Sequence, residues 1–288
     1  MNSTSAWRVM WREVKNDKLA LIGLFFFIVI VATVYLWYPF IDQAAADRVN
    51  LLTRNLPPGE GGFLLGTDPS GRDMLPRLIL SARNSFNIAF LVTGGATLIG
   101  VFVGLFSGYY GGHVDNVIMR IIDFITMVPF IMLVIVFVAL IPNYTPLTFS
   151  LIFIAFSWQP TARLIRAKAL QQGELDYVSA SKTLGTPNII IIFREVLPNL
   201  VSIITSNLTL TLAANMGIET GLTFLGFGLP HGVPSLGNLV HFARIPYDMQ
   251  NRMWLWLPAA LLIIVMMLCI NFVGQALNRA ADAKKRTI

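Results

Sequence analysis

Charge is scarce in this chain: Asp, Glu, Lys and Arg make up 12% of its 288 residues, while 55% are hydrophobic. That charged share is about half of what a soluble globular domain carries, so a single water-exposed core is excluded and the bilayer becomes the organising solvent. Cysteine is nearly absent. Cys269 stands alone in the last apolar run, which rules out an intrachain disulfide and reads as a small buried hydrophobe in a helix. Histidine is scarce as well. His113, His231 and His241 fall at no metal-ligand spacing and His-Glu-x-x-His is missing, which speaks against a membrane metalloprotease. Ser107 with His113 lacks both an orienting acid and a nucleophile elbow, so a serine hydrolase is no better supported.

A nucleotide site is missing too. Gly66-Thr67-Asp68-Pro69-Ser70-Gly71-Arg72-Asp73 imitates a phosphate-binding loop, but Arg72 replaces the lysine that reaches the phosphates and Asp73 replaces the hydroxyl that holds Mg²⁺. The chain is therefore expected to hold no catalytic, cofactor-binding or metal-binding residues and to be no enzyme.

What is present is a set of long runs without a charged residue: 19–41, 84–114, 124–162, 196–218, 220–243 and 253–278. The third is too long for one crossing of a hydrocarbon core of roughly 30 Å, and Pro142 with Pro146 divides it into two helices around a tight turn. The fifth is crowded with Gly221, Gly226, Gly228, Pro230, Gly232, Pro234 and Gly237, which suits a loop or re-entrant segment. The sum is an all-α integral membrane protein with six spanning helices, the last five at about 85–109, 117–141, 147–166, 197–217 and 254–277. A short amphipathic N-terminal segment, 1–18, precedes the first span, 19–41. An outer segment, 42–83, follows it, then a five-helix domain, 84–278, and a tail, 279–288.

Charge placement agrees with this layout. With the N-terminus inside, 14 of the 21 basic residues and all six lysines lie on the inner side, which then carries the whole net charge of +6. Topology thus accounts for the basic balance, and no nucleic-acid partner is expected; the partner implied by composition is membrane lipid. Both termini are placed in the cytoplasm.

Three side-chain patterns within the spans carry expectations. Ala96, Gly100, Gly104 and Gly108 recur at steps of four, which allows close helix approach either within this chain or with a partner permease. Arg120 and Asp123 stand three apart and are expected to pair on one helix face. Asn207, Thr211, Asn215 and Glu219 form a polar stripe that should face either a translocation path or a hydrogen-bonded helix seam.

Between the fourth and fifth spans lies an inner loop, 167–196, far longer than a turn requires. It reads as two helices at an elbow: one from about Glu174 to Leu184 that stops at Gly185, and a second with Thr186 as N-cap and Pro187 at its first position. Such a knob suits a groove on a cytoplasmic partner.

Asp176-Tyr177-Val178-Ser179-Ala180-Ser181, then Gly185, then Leu197-Pro198-Asn199, resembles the EAA loop of ATP-binding-cassette importer permeases, whose helix docks on the ATPase. Asn16 to Leu24, Leu65 to Asp73 with Arg77 and Arg83, Tyr109-Tyr110-Gly111-Gly112, and Glu219 to Gly228 with Pro234-Ser235-Leu236-Gly237-Asn238 are similar to the C-type permease of the oligopeptide, dipeptide and nickel importers. The resemblance covers nearly the whole chain.

It implies a type I importer permease in a bacterial inner membrane. The partners implied are a B-type second permease, two cytoplasmic ATPase subunits holding ATP and Mg, and an extracytoplasmic solute-binding protein. The ATPase-coupling residues carried over are Glu174, Asp176, Tyr177, Val178, Ala180, Ser181, Leu184 and Gly185. Asp68, Arg72, Asp73, Pro234, Ser235 and Asn238 are candidates for binding-protein docking, against the alternative of a lid packed on the chain's own outer face. The sequence departs from the family at Ser179-Ala180-Ser181, which lacks the EAA acid, and at Glu195, where a histidine is common; Asp176 is a candidate for the missing acid. Peptides are the expected cargo. A nickel or other small-solute importer is the alternative, and an ion-coupled secondary transporter is the alternative of another class.

Overall fold

The computed structural model describes residues 6–230 and 232–285. Residues 1–5 of the expected N-terminal segment, His231, and 286–288 of the expected tail lie outside the described residues.

Among the described residues the regular structure is helical, apart from one isolated bridge between Thr67 and Asp73. Helix α1 (Ala6–Asn16) leads through Asp17 into α2 (Lys18–Trp37), whose start is fixed because the Asp17 carboxylate accepts from the Leu19 and Ala20 amides at 2.9 and 3.2 Å. Helix α2 buries only Ala20, Gly23 and Val34, with Phe27, Ile30, Val31 and Tyr35 packed part-buried on the same side, so most of its apolar side chains face outward, as a helix at the lipid-facing edge of a bundle requires. Helix α3 (Met74–Tyr110) begins ten residues before the charge-free run, capped by Asp73, and carries Arg77 and Arg83 inside its first turns. The outer segment is correspondingly shorter than 42–83.

The expected third span is bent by 72° between α4 (Gly112–Thr126) and α5 (Phe130–Leu140), because Pro129 cannot continue the hydrogen-bond ladder. The expected fourth is divided as well, into α6 (Pro146–Ser157) and α7 (Gln159–Gly173), with Pro160 in the first turn of the second piece. Helix α8 (Asp176–Thr183) follows. A single long rod, α9 (Asn188–Leu225), then replaces the expected pair of a short elbow helix and a fifth span. It runs into the segment expected to be loop before stopping at Gly226, whose φ of +92° terminates it. The short α10 (Leu236–Val240) precedes α11 (Leu257–Lys285).

Four helices, α2, α3, α9 and α11, are long and apolar enough to span a bilayer unaided, and the bent α4–α5 pair is a fifth candidate. The count of six is not reproduced helix for helix: α6, with 12 residues, rises only about 18 Å and needs α7 to extend it.

Helix α3 is the centre of the bundle. Its Gly100, Gly104 and Gly108 lie directly on the α7 backbone; a Cβ at Gly104 would sit 2.4 Å from the Ala162 carbonyl, and one at Gly108 2.4 Å from that of Arg166. The small-residue stripe is therefore an internal packing seam. On its other sides α3 meets α9, which packs on α11, which packs on α2. Arg120 does not pair with Asp123. Asp123 binds Arg163 of α7 at 2.8 Å instead, a partner 40 residues away that helix spacing could not reveal.

The two ends of the bundle are distinct. Asp17 pairs with Arg279, which joins the start of α2 to the end of α11, and Ala281 meets Asp176 and Tyr177 across one cleft. The Lys182 ammonium lies 5.0 Å over the Tyr109 ring, and the Tyr109 hydroxyl donates to Asn188 at 2.9 Å. The start of α2, the end of α11 and the elbow thus share one end of the bundle. At the opposite end, Trp254 donates to the Thr67 carbonyl and the Leu236 amide donates to Ser85, each at 3.2 Å.

Candidate functional site

The elbow is built around one buried valine. Val178 has no exposed surface and packs with Leu105, Ile165, Ile191, Ile192, Val196 and Leu200, so α8 is pinned to α3, α7 and α9 at once. Around that pin the rest of α8 faces out. Glu174, Asp176 and Ala180 are exposed, Tyr177 and Ser181 are half-buried, and Leu184 is 84% exposed. A leucine left that bare at one end of the helix, with Leu175 44% exposed at the other, is apolar surface turned outward. Gly185 stops the helix with φ +77°, its amide donating to the Lys182 carbonyl at 3.0 Å. The second helix begins one residue later than its sequence signal, with Pro187 as N-cap and Asn188 as first residue.

The junction of elbow and span is a π-helical turn, Ile192–Val196, in which the Leu197 amide reaches back to the Ile192 carbonyl. Pro198 explains it: a proline has no N–H for the Arg194 carbonyl and its ring crowds that position, so the ladder widens by one residue. Glu195 lies in this turn. The Ser181 hydroxyl donates to its Oε1 at 2.7 Å, while its Oε2 is buried without a partner among the described residues. Asp176, the candidate for the missing acid, is exposed and forms no ion pair among the described residues; the carboxylate that engages α8 is Glu195.

The Tyr177 hydroxyl donates to Gln172 at 2.7 Å and accepts from Asn199 at 3.3 Å. Burial pushes this phenol above its ordinary value, the Asn199 bond lowers it, and the nearby Glu195 charge raises it, so it stays a neutral donor. Tyr177, Asp176, Lys168 and Asn199 border a cleft of about 690 Å³. Two residues without a local sequence signal stiffen the same end. Asp115 accepts from Arg166 Nε at 2.7 Å and pairs with its second nitrogen, and also accepts from Ser107 at 2.5 Å, locking α3, α4 and α7 together.

The polar stripe of α9 divides in two. Asn207, Thr211 and Asn215 line a cavity of about 540 Å³ between α9 and the breaks at Pro129 and Trp158. Asn207 donates to Thr161 and Asn215 to Thr93, both at 3.0 Å, so part of the stripe is also a helix seam. Glu219 is fully buried at the far end of α9 and accepts from Thr223 at 3.0 Å.

The outer residues have internal partners. Asp68 is 2% exposed; it accepts from the Ser70 and Arg72 amides at 2.7 and 2.9 Å and faces Arg77 at 3.7 Å. Asp73 caps α3, and Arg72 is half-buried with its Nε unpartnered among the described residues. Ser235 is fully buried and caps α10 through the Asn238 amide; Asn238 donates to the Val233 carbonyl, and the Pro234 carbonyl accepts from Asn84. These residues help to organise the cover on this end of the bundle, and Asp68 and Ser235 are buried in it.

Two family descriptions match the chain: "Binding-protein-dependent transport system inner membrane component" over residues 100–287, and "N-terminal TM domain of oligopeptide transport permease C" over residues 5–58. The chain is 44% identical over 286 residues to the oligopeptide transport system permease protein OppC of Lactococcus lactis subsp. lactis, covering 99% of this chain and 97% of the relative. It is 33% identical to the dipeptide transport system permease protein DppC of Bacillus subtilis, covering 96% and 85%, and 34% identical to DppC of Haemophilus influenzae, covering 95% and 93%.

Proposed function

Because this chain belongs to the family of binding-protein-dependent transport system inner membrane components, we propose that it is the permease subunit of an ATP-driven importer that takes up peptides delivered by an extracytoplasmic solute-binding protein. Near full-length identity of 44% to an oligopeptide permease favours peptides over nickel or another small solute. The working unit of this reading pairs the chain with a second permease and two cytoplasmic ATPase subunits, which hold the ATP and Mg. Hydrolysis belongs to those subunits. The membrane is the bacterial inner membrane, with both termini cytoplasmic, a placement supported by the concentration of lysine and arginine in the segments assigned to the inner side.

The observation that carries the reading is the construction of α8: pinned at Val178, bare at Leu184, and joined through Ser181 to the root of α9. A motor subunit that grips the bare face moves the root of a 38-residue spanning rod. ATP drives transport in this scheme only by binding one arrangement of the complex more tightly than the other, and the elbow passes that difference to the bundle.

The test is reconstitution of the chain with its second permease and ATPases in proteoliposomes. Uptake of a labelled peptide is expected only with both ATP and loaded binding protein. Uptake driven by an ion gradient without nucleotide overturns the importer reading, and uptake of nickel chelates without peptides overturns the substrate class.

A further inference from the structure

The cavity of about 540 Å³ beside α9 holds two polar groups that the fold leaves unused. Gln159, at the break between α6 and α7, is 2% exposed, yet its Nε2 has no hydrogen-bond partner among the described residues. The Ser157 hydroxyl, two residues before it, is likewise buried without a partner among them. Both residues line the cavity, as do Asn207 and Thr211 of α9. An unsatisfied buried amide is costly and uncommon in a folded protein, so a donor held in this state marks a place where something else supplies the acceptor.

The lining also restricts what that acceptor is. It contains no Asp, Glu, Lys, Arg or His, and apart from the amides and hydroxyls it is built of Phe, Ile, Leu, Val, Ala and Pro. A site of this kind offers neutral hydrogen bonds and apolar contact but no charge partner. A carboxylate or ammonium entering it would be desolvated without compensation, whereas a backbone amide group brings a carbonyl for Gln159 and an N–H for a hydroxyl or amide oxygen.

Resting on the peptide-importer reading, we propose that this cavity is a passage subsite that holds the backbone amides of a peptide in transit through Gln159, Ser157 and the Asn207–Thr211 face of α9. Because it engages only the repeating backbone, it handles peptides without regard to side-chain sequence. Asn207 and Thr211 enter the same subsite from the rod α9.

The test uses the complete importer with a Ser157→Cys variant in a Cys269→Ser background, reconstituted and exposed to a small neutral methanethiosulfonate. The thiol at position 157 is expected to react, and tetra-alanine delivered by loaded binding protein with ATP is expected to protect it. In parallel, Gln159→Leu is expected to lower uptake of tetra-alanine about threefold to tenfold at saturating loaded binding protein, the loss of one neutral hydrogen bond, with stimulated ATP hydrolysis unchanged. Two outcomes overturn the subsite. One is a thiol at position 157 that stays inert in every nucleotide state, as it would if the second permease filled the cavity. The other is labelling that peptide never affects. Failure of the unmutated importer to take up tetra-alanine at all overturns the peptide reading instead.

Discussion

Ser181 on the elbow helix donates to Glu195 at 2.7 Å in the π-helical turn that opens the long rod α9. This bond joins the exposed elbow helix α8 to the root of the long apolar rod α9. The carboxylate it engages has its other oxygen already unsatisfied among the described residues. Ser181→Ala is expected to leave both oxygens without a protein partner, loosening the elbow by on the order of 1–3 kcal/mol. Amide hydrogen exchange across 176–196 should accelerate correspondingly while the core of α3 stays protected. Unchanged exchange in that segment would show that the bond does not hold the elbow.

The stop of α8 makes a sharper test of coupling. Gly185 has φ +77° and its amide donates to Lys182, so Gly185→Pro imposes the wrong dihedral and deletes the donor together. Asp176→Arg reverses a charge on the exposed face of α8. Both variants are expected to assemble in the membrane yet lose peptide uptake per ATP hydrolysed. Unchanged uptake by both would count against the elbow as the motor contact.

Close packing predicts a contrast between two glycines of one helix. A Cβ at Gly104 would stand 2.4 Å from the Ala162 carbonyl, whereas one at Gly94 meets nothing within 4 Å. Gly104→Ala is expected to separate α3 from α7 and destabilise the bundle by roughly 1–3 kcal/mol. Gly94→Ala should be neutral or stabilising by up to about 1 kcal/mol, since it only removes backbone freedom. Thermal melting of the two purified variants in the same detergent checks the order.

These contrasts show which parts of the molecule the sequence discloses. The elbow is legible because its boundaries are set locally: Gly185 stops one helix and Thr186-Pro187 starts the next, with an error of one residue. The start of α3 is not, because the charge-free run begins only after Arg83, and Arg77 and Arg83 lie inside the helix. Its cap, Asp73, is visible as a helix-start residue and corrects the boundary. The divided spans are disclosed only in part: Pro142 and Pro146 mark one break, while the breaks at Pro129 and Pro160 fall inside an otherwise unbroken apolar run. Asp115 with Arg166, and Asp123 with Arg163, join residues 51 and 40 apart, and no local pattern carries such a pairing. The burial of Asp68 and Ser235 is hidden for a related reason: a loop residue with a polar side chain reads as exposed until its capping partners are known.

The polar stripe of α9 yields a graded prediction, because burial changes along it. Asn207 and Thr211 are half-buried and border the cavity, Asn215 borders it at 4% exposure with its amide committed to Thr93, and Glu219 is fully buried at the far end. In a Cys269→Ser background, cysteines at 207 and 211 are expected to react with a membrane-impermeant thiol reagent in at least one nucleotide state of the assembled importer. Cysteine at 215 should react more slowly, and at 219 not at all. The gradient is what separates the two readings of the stripe. A seam that only holds helices together keeps all four positions closed in every state, since opening it would break the Asn207–Thr161 and Asn215–Thr93 bonds together. A passage lined by the near end and closed by the far end exposes the first two positions and never the last. Equal silence at 207 and 211 in every state would assign the stripe to helix packing, and equal labelling at all four would mean that Glu219 leaves its buried site during transport.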